Sequence, residues 1–315
     1  MLDIYRYYSI LLASGIVLET AASPKPGNVH RYRDYHDLMF EDFLLTGLVA
    51  SHILYKGVLR GRRIHREYKV VYGDLIHDLV SYSMKLTGGS NTCLGTSLLI
   101  IPLAIATGYL LNNKEYIDPE KVARTSTFLL KNYSTVYDSI WFYRAVRKAS
   151  PSYIRSSDKT EGYPNVYSKK YIRELISGNY SLWDIVEHSS KIDIVCKELV
   201  EGYPRSLYAT KYLWSRLRKH GVWNKAVVET YLKLLSMYID TTILRKHGID
   251  VAGYVKKKAL EIATYYGEQK VWDMIESFDK ELHSRGINPG SIADIIAVAI
   301  SLHAIHRRNN IIRYS

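Results

Sequence analysis

Acidic and histidine side chains cluster shortly after the first apolar segment of the chain. Asp37 and Glu41 are four residues apart, and His30 and His36 lie close to them in the sequence. On a helix that starts near residues 34–37, the two carboxylates would share one face. Two carboxylates on one face can hold a Mg²⁺ ion that carries phosphates. A capped helix with an acidic first turn is the alternative that needs no ligand.

A glycine-rich turn, T-G-G-S-N-T at residues 87–92, directly precedes a long apolar segment. Glycines at the start of a helix expose backbone N–H groups and the positive end of the helix dipole, so such a turn can cradle a phosphate. The turn lacks the Gly-Lys-Ser/Thr ending of a P-loop. A flexible turn between helices, with a Ser or Asn cap, is the alternative. The candidate phosphate ligands of the turn are Gly88, Gly89, Asn91 and Thr92.

Asp240 stands between an apolar stretch and two threonines, at what the pattern predicts to be the C-terminal end of a long helix. We interpret this acid as the partner of a cation or a ligand. The basic residues Arg245, Lys246 and His247 precede Gly248, and a helix end capped by this glycine explains them without a ligand.

Ser291 and Asp294 are three residues apart and resemble a helix capping box in which Asp replaces the usual Glu. Capping is the simplest explanation of the pair. Asp294 nevertheless precedes an apolar helix, and a carboxylate that enters a core needs a partner.

Helical periodicity dominates the segments that must position these residues. It runs from residues 5–22 to residues 292–305, and no alternating strand pattern or Asn-Gly hairpin turn interrupts it. We predict an all-α fold, a single globular multi-helix domain over residues 1–315. Residues 150–167 are the least periodic stretch, and we expect a long surface loop there rather than a domain joint.

Residues 94–111 carry no charged side chain and are long enough to span a membrane. They also include Gly95, Pro102 and Gly108, and no aromatic anchor precedes Tyr109. We therefore predict a buried central helix, bent at Pro102, and no membrane span.

The composition narrows the choice of partner and compartment. A formal net charge of +12 suits a polyanion such as ATP, CoA or nucleic acid. The acids Asp34, Asp37, Glu41 and Asp240 argue against nucleic acid. The chain has two cysteines, too few for a disulfide framework or a cysteine-based zinc site. No signal-peptide pattern is visible, so the cytoplasm is the expected compartment.

Six short motifs occur in an order that resembles the triphosphoribosyl-dephospho-CoA synthase family. They extend from about the first predicted helix to the last. Several positions depart from the family's usual pattern. Cys93 and Leu94 replace a His and a basic residue, Thr242 replaces an Asn, and Asn28 and His30 stand where the usual form is closer to L-V-D-R. The motifs are E-x-x-x-x-P-K-P-G at 19–27, H-D at 36–37, G-G-x-N-T at 88–92, E-x-x-x-G-Y-P at 198–204, D-T at 240–241 and N-P-G-S-x-A-D at 288–294.

The resemblance implies an all-α enzyme that uses ATP and 3′-dephospho-CoA or a related acceptor. In the family's reaction adenine leaves ATP, and C1 of the ribose is joined to a ribose hydroxyl of dephospho-CoA. The triphosphate stays on the transferred ribose, and the product is the precursor of a prosthetic group.

Roles for the candidate residues follow from this resemblance as hypotheses. The reaction needs ligands for Mg²⁺ and the triphosphate, a group that transfers a proton, and donors that orient hydroxyls or the base. We expect these groups to meet in one pocket. The assigned residues are Asp37, Glu41 and Asp240 for Mg²⁺ or the ribose; Lys25, Arg245, Gly88 and Gly89 for phosphates; His36 or Asp294 for proton transfer; and Asn91, Thr92, Asn288 and Ser291 for further contacts with the nucleotide.

Three other functions stay open from the sequence. One is a hydrolase or transferase of the same superfamily that acts on another nucleotide. A second is a basic helical module that binds nucleic acid without catalysis, and a third is a nucleotide sensor that has lost the chemistry.

Overall fold

The computed structural model describes residues 3–64, 68–154, 160–268 and 270–312, and the side chains of these residues except 307–312. Over these ranges the chain forms helices and no strand, which confirms the predicted all-α fold. The helices are α1 (Ile4–Thr20), α2 (Phe40–Gly61), α3 (Gly73–Leu86), α4 (Leu94–Asn112), α5 (Pro119–Tyr133), α6 (Val136–Ala149), α7 (Tyr171–Gly178), α8 (Leu182–Ser189), α9 (Ile194–Val200), α10 (Pro204–His220), α11 (Trp223–Met237), α12 (Thr241–Ala263), α13 (Val271–Ser284) and α14 (Gly290–Ile312).

Helix α4 is the central helix that the apolar segment predicts. All of its residues from Thr96 to Gly108 are buried, and it packs against α1, α2, α3, α5 and α14. By length and composition α2 and α4 could each cross a membrane, but 83% of the apolar window of α4 is buried inside the protein, against 44% for α2. The apolar surface of α4 is therefore covered by other helices of the same domain.

Two glycines let the backbones of α2 and α4 touch. A Cβ atom on Gly61 would overlap the carbonyl oxygen of Ile105, and one on Gly108 would overlap the carbonyl oxygen of Val58. Because backbone atoms cannot move aside as a flexible side chain can, this crossing requires glycine on both helices.

The segment before α2 differs from the prediction. Residues 30–38 form two tight turns, closed by the antiparallel bridges His30–Arg33 and Tyr35–Leu38. The carboxylate of Asp34 accepts a hydrogen bond of 2.7 Å from the N–H of Phe40, where α2 begins. The prediction that a helix starts near residues 34–37 was wrong. Asp37 and Glu41 therefore do not share a helical face.

Replacing Gly108 by Ala should destabilise the protein by about 1–3 kcal/mol, because the added methyl forces α2 and α4 apart. Thermal unfolding measures the loss. Gly253→Ala in α12 is the matched control, since a Cβ atom there meets nothing within 4 Å; alanine should be neutral or stabilising by up to about 1 kcal/mol at that helical position. Equal unfolding temperatures for the two variants would contradict the close crossing.

Candidate active site

Several helices begin at one place in the fold. The hydroxyl of Ser291, in the first turn of α14, lies 3.0 Å from that of Thr241, which opens α12. The N–H of Ile194, at the start of α9, donates to the same Thr241 hydroxyl over 3.3 Å. Thr96, in the first turn of α4, donates to the carboxylate of Asp294 on α14. The positive ends of four helix dipoles therefore face one region.

A cavity of about 550 Å³ opens beside these helix starts. Its size is within the range of pockets that take small molecules. The helix starts supply the charged groups of its wall together with apolar side chains such as Leu94 and Val195. The described residues of α6, α8 and the segment between α6 and α7 supply mainly apolar and aromatic side chains. The lining includes Gly95, Asp193, Thr242, Arg245, Ser291 and Asp294 from the first group, and Phe142, Val146, Tyr153, Tyr163, Pro164 and His188 from the second.

Asp294 is the cavity carboxylate with one oxygen that lacks a hydrogen-bond partner among the described residues. Its Oδ1 accepts the hydrogen bond from Thr96, whereas Oδ2 accepts none from the described residues. Oδ2 lies against Gly95, where a Cβ atom would overlap it. Burial, followed by repulsion from Asp240 and other nearby carboxylates, raises the pKa of Asp294 to about 7. This group can bind a cation or exchange a proton near neutral pH.

Asp240 lies behind the cavity wall and has a different role from the one predicted. Helix α11 ends at Met237, so Asp240 begins a helix rather than ending one. Its Oδ1 accepts the N–H of Ile243 on α12 over 2.9 Å, and its Oδ2 accepts the N–H of Ile292 on α14 over 2.8 Å. Burial raises its pKa to about 6. With both oxygens engaged, Asp240 joins two helix starts and is not placed as a metal ligand or a catalytic group.

Arg245 faces the cavity from α12, as the phosphate-binding hypothesis requires. Its guanidinium lies 3.3 Å from Oδ2 of Asp193 and 5.5 Å from the ring centre of Tyr153. The other oxygen of Asp193 accepts the N–H groups of Val195 and Cys196 over 2.9 Å each, at the start of α9. Arg245 is thus held in place by a carboxylate and an aromatic ring.

Ser291 also lines the cavity, but not as a helix cap. Helix α14 already begins at Gly290, and the Ser291 hydroxyl lies 2.9 Å from that of Thr242 and accepts the Thr242 N–H over 3.2 Å. The capping-box interpretation of Ser291 and Asp294 was wrong, because Ser291 lies inside α14 and the two side chains bond to Thr242 and Thr96 instead of to each other's backbone N–H groups.

Lys25 is placed where it cannot reach the cavity. Its side chain is fully buried, forms an ion pair with Glu19, and donates to Asn28 over 2.8 Å. Burial lowers its pKa. The Nδ2 of Asn28 donates to Oδ1 of Asn288 over 3.0 Å, so Asn288 is engaged as well. The predicted phosphate contact of Lys25 and ligand contact of Asn288 are replaced by a buried network that joins α1 to the start of α14.

The Gly88–Gly89 turn ends α3 instead of facing the cavity. Both glycines are exposed with positive φ (68° and 115°), and the N–H of Gly89 donates to the carbonyl of Met84 over 2.8 Å. This is a helix C-terminal cap. Asn91 accepts the N–H of Leu94 over 3.3 Å, and the Thr92 hydroxyl lies 2.6 Å from that of Thr46. None of these four predicted phosphate ligands lines the cavity.

The predicted metal group is not assembled either. The side chains of His36 and Asp37 are 94% and 67% exposed, and Glu41 is exposed in the first turn of α2. Asp240 is buried elsewhere. Among the described residues, no three His, Cys, Asp or Glu side chains are grouped as metal ligands.

Two cavity features were missed by sequence reasoning. Asp193 follows a polar stretch and precedes an apolar helix, the usual position of a helix cap, so its second role beside Arg245 could be found only in three dimensions. Residues 150–167, predicted to be a surface loop, contribute Tyr153 and Tyr163 to the cavity wall. Their tyrosines and prolines were the available indication.

Comparisons with known proteins agree on one family. The CitG family model, described as ATP:dephospho-CoA triphosphoribosyl transferase, matches residues 6–312. A protein from Malonomonas rubra, named as a probable 2-(5''-triphosphoribosyl)-3'-dephosphocoenzyme-A synthase, is 24% identical over a 312-residue alignment, and the match covers 94% of this chain and 86% of the relative. A crystal structure from Archaeoglobus fulgidus, of a candidate triphosphoribosyl-dephospho-CoA synthase, shares the fold with a TM-score of 0.60 at 22% identity, covering 82% of this chain and 97% of that one.

Replacing Asp294 by Asn should stabilise the protein increasingly as the pH rises. The pKa is about 7 in the folded protein, above the ordinary 3.8, so the folded state binds the proton more tightly than the unfolded chain. The ionised carboxylate therefore destabilises the fold progressively between about pH 4 and pH 7, and this effect is absent at lower pH. The unfolding temperature of the variant relative to the unaltered protein should rise by about 2 °C or more between pH 4 and pH 8.

Asp118→Asn, which changes a helix-capping carboxylate outside the cavity, corrects for the general effect of losing an acid. A difference for Asp294→Asn that stays constant or falls with rising pH contradicts the placement of this carboxylate.

Proposed function

The chain belongs to the CitG family of ATP:dephospho-CoA triphosphoribosyl transferases, and from this premise we propose that the cavity at the four helix starts is its active site. The resemblance found in the sequence motifs is thereby confirmed. The protein is a transferase that moves the triphosphoribosyl group of ATP to dephospho-CoA. The assignment to this cavity rests on Asp294. Its Oδ2 has no hydrogen-bond partner among the described residues and lies beside the converging helix starts.

The reaction has three physical requirements. Breaking the bond between ribose and adenine builds positive charge on the ribose, as in glycoside hydrolysis. The triphosphate must be held by cationic groups and N–H donors, and the acceptor hydroxyl must lose a proton. A site for this reaction therefore needs negative groups near the ribose and positive groups near the triphosphate, within one cavity.

The starts of α12 and α14 are the proposed place of the triphosphate. Helix N-termini attract anions through their dipoles. The N–H groups of Thr242, Ile243 and Ile292 already have partners, so side chains must supply the direct contacts. Arg245, in the second turn of α12, adds a cation whose position is fixed by Asp193. The hydroxyls of Thr242 and Ser291 lie on the same stretch of wall.

Asp294 is the proposed general base. Its Oδ2 takes the proton of the acceptor hydroxyl while the hydroxyl oxygen bonds to C1 of the ribose. The bond from C1 to adenine breaks, and its electron pair leaves with adenine. A pKa of about 7 suits a base that must be ionised and still accept a proton at neutral pH. The negative charge of Asp294 also stabilises the developing positive charge on the ribose.

In this proposal Mg²⁺ is bound to the triphosphate of ATP and enters the cavity with it. The cavity wall offers oxygens from Thr242, Ser291 and Asp294, which is the donor type that Mg²⁺ prefers. We propose this wall, rather than the predicted Asp37, Glu41 and Asp240, as the surroundings of the metal-bearing triphosphate. A cytoplasmic location stays a prediction from the sequence.

Gly95→Ala should lower kcat/KM about 100-fold, because the methyl occupies the position of the Asp294 oxygen and displacement of a reacting group by about 1 Å has effects of that size. The assay is the release of adenine from ATP in the presence of dephospho-CoA. Gly253→Ala, an equal change in open space, should retain activity.

The same assay without dephospho-CoA tests the reaction type. Adenine release that requires the acceptor, with formation of the joined product, agrees with the proposal. Release at full rate without the acceptor indicates a hydrolase. Full activity of Gly95→Ala contradicts the assignment of the reaction to this cavity.

A further inference from the structure

Part of the cavity wall is aromatic. Phe142 and Tyr143 come from α6, Tyr153 and Tyr163 from the residues that follow it, and His188 from the last turn of α8. Tyr153 lies beside Arg245. The Tyr143 hydroxyl donates to the carbonyl of Pro164 over 2.7 Å and connects the segment around Tyr163 to α6. Flat rings from three parts of the chain therefore line the same cavity.

Tyr163 and His188 form the ordered part of this wall. Their ring centres are 4.0 Å apart with an angle of 21° between the planes, and Tyr180 extends the stack on Tyr163 at 4.9 Å. Neither ring nitrogen of His188 forms a hydrogen bond with a described residue. His188 is partly exposed and lines the cavity. The wall thus combines stacked rings with polar ring edges open to a ligand.

The cavity lining combines two kinds of chemistry. The helix starts supply Arg245, hydroxyls and carboxylates, whereas Tyr163 and His188 supply stacked rings. A nucleotide has the same division, since its phosphates are charged and its base is flat and apolar with polar edges. Aromatic stacking is how proteins hold bases without relying on charge.

We infer that Tyr163 and His188 form a shelf that binds the adenine ring of a nucleotide substrate. The inference rests on the proposed function and deepens it, because it assigns the base to residues other than those proposed to bind the triphosphate. Both substrates of the family, ATP and dephospho-CoA, contain adenine, so the shelf recognises a ring that either of them can supply. The purine stacks on the face of His188 that Tyr163 does not cover, and Tyr163 supports the His188 ring from the other face.

Calorimetric titration with three ligands tests the shelf in the presence of Mg²⁺. The ligands are ATP, dephospho-CoA and inorganic tripolyphosphate, which has no base. His188→Ala should weaken binding of ATP or dephospho-CoA about tenfold, the size of one lost stacking contact. Tyr163→Leu removes the ring that supports His188 and should weaken binding of the same nucleotide. Tripolyphosphate affinity should stay unchanged. His188→Phe keeps a flat ring and should lose less affinity than His188→Ala.

Tyr208→Leu is the matched control, since Tyr208 stacks with Tyr212 on α10, outside the cavity lining. Loss of ATP affinity assigns the shelf to the adenine that leaves, and loss of dephospho-CoA affinity assigns it to the acceptor. Unchanged affinity for both nucleotides in the His188 variants overturns the inference. An equal loss for tripolyphosphate also overturns it, because the effect then does not depend on a base.

The measurements distinguish a wrong assignment of the adenine shelf from a wrong proposed function. If the unaltered protein transfers triphosphoribose but the variants bind both nucleotides normally, only the shelf is wrong. If the variants lose nucleotide affinity selectively but the unaltered protein forms no product, the shelf stands and the proposed function is contradicted. His188→Ala and His188→Phe decide the question even where Tyr163→Leu does not fold.

Discussion

One buried carboxylate, that of Asp240, determines where the site can form. Each of its oxygens accepts a backbone N–H at the start of a different helix, Ile243 on α12 and Ile292 on α14. A buried carboxylate is stable only when its oxygens are hydrogen-bonded, and the first N–H groups of a helix have no partner within the helix. The Asp240 carboxylate therefore gains donors, and the first N–H groups of the two helices gain an acceptor. Arg245 on α12 and Asp294 on α14 are consequently carried to the same cavity.

Asp294 has fewer stabilising partners than the carboxylates around it. Glu19 is paired with Lys25, Asp193 with Arg245, and Asp240 with backbone N–H groups. Asp294 has one hydroxyl partner, from Thr96. Burial, and after it the repulsion from the surrounding carboxylates, disfavours its negative charge, so it gains from a proton, a metal-bearing substrate or a cationic transition state. Basic residues elsewhere on the surface do not relieve this repulsion, because solvent and salt screen them.

Helical periodicity was sufficient to predict the fold, because a segment such as 94–111 can bury its surface only inside a bundle. The site was less predictable, because ligand-binding and structural motifs share residue types. Gly89 and Lys25 resemble phosphate ligands in the sequence, yet one ends a helix and the other neutralises a buried Glu19. Glu198, in another of the matching motifs, accepts N–H groups at the start of α10. Only contacts between residues distant in sequence separate such roles, and these are absent from local patterns.

A crystal structure with Mn²⁺ and a non-reactive ATP analogue tests the central claim most directly. The account predicts the triphosphate at the starts of α12 and α14 beside Arg245, with C1 of the ribose next to Oδ2 of Asp294. Manganese should lie on the triphosphate within the cavity. A nucleotide bound at Asp37 and Glu41, or against the Gly88–Gly89 turn, with the cavity empty, would contradict it.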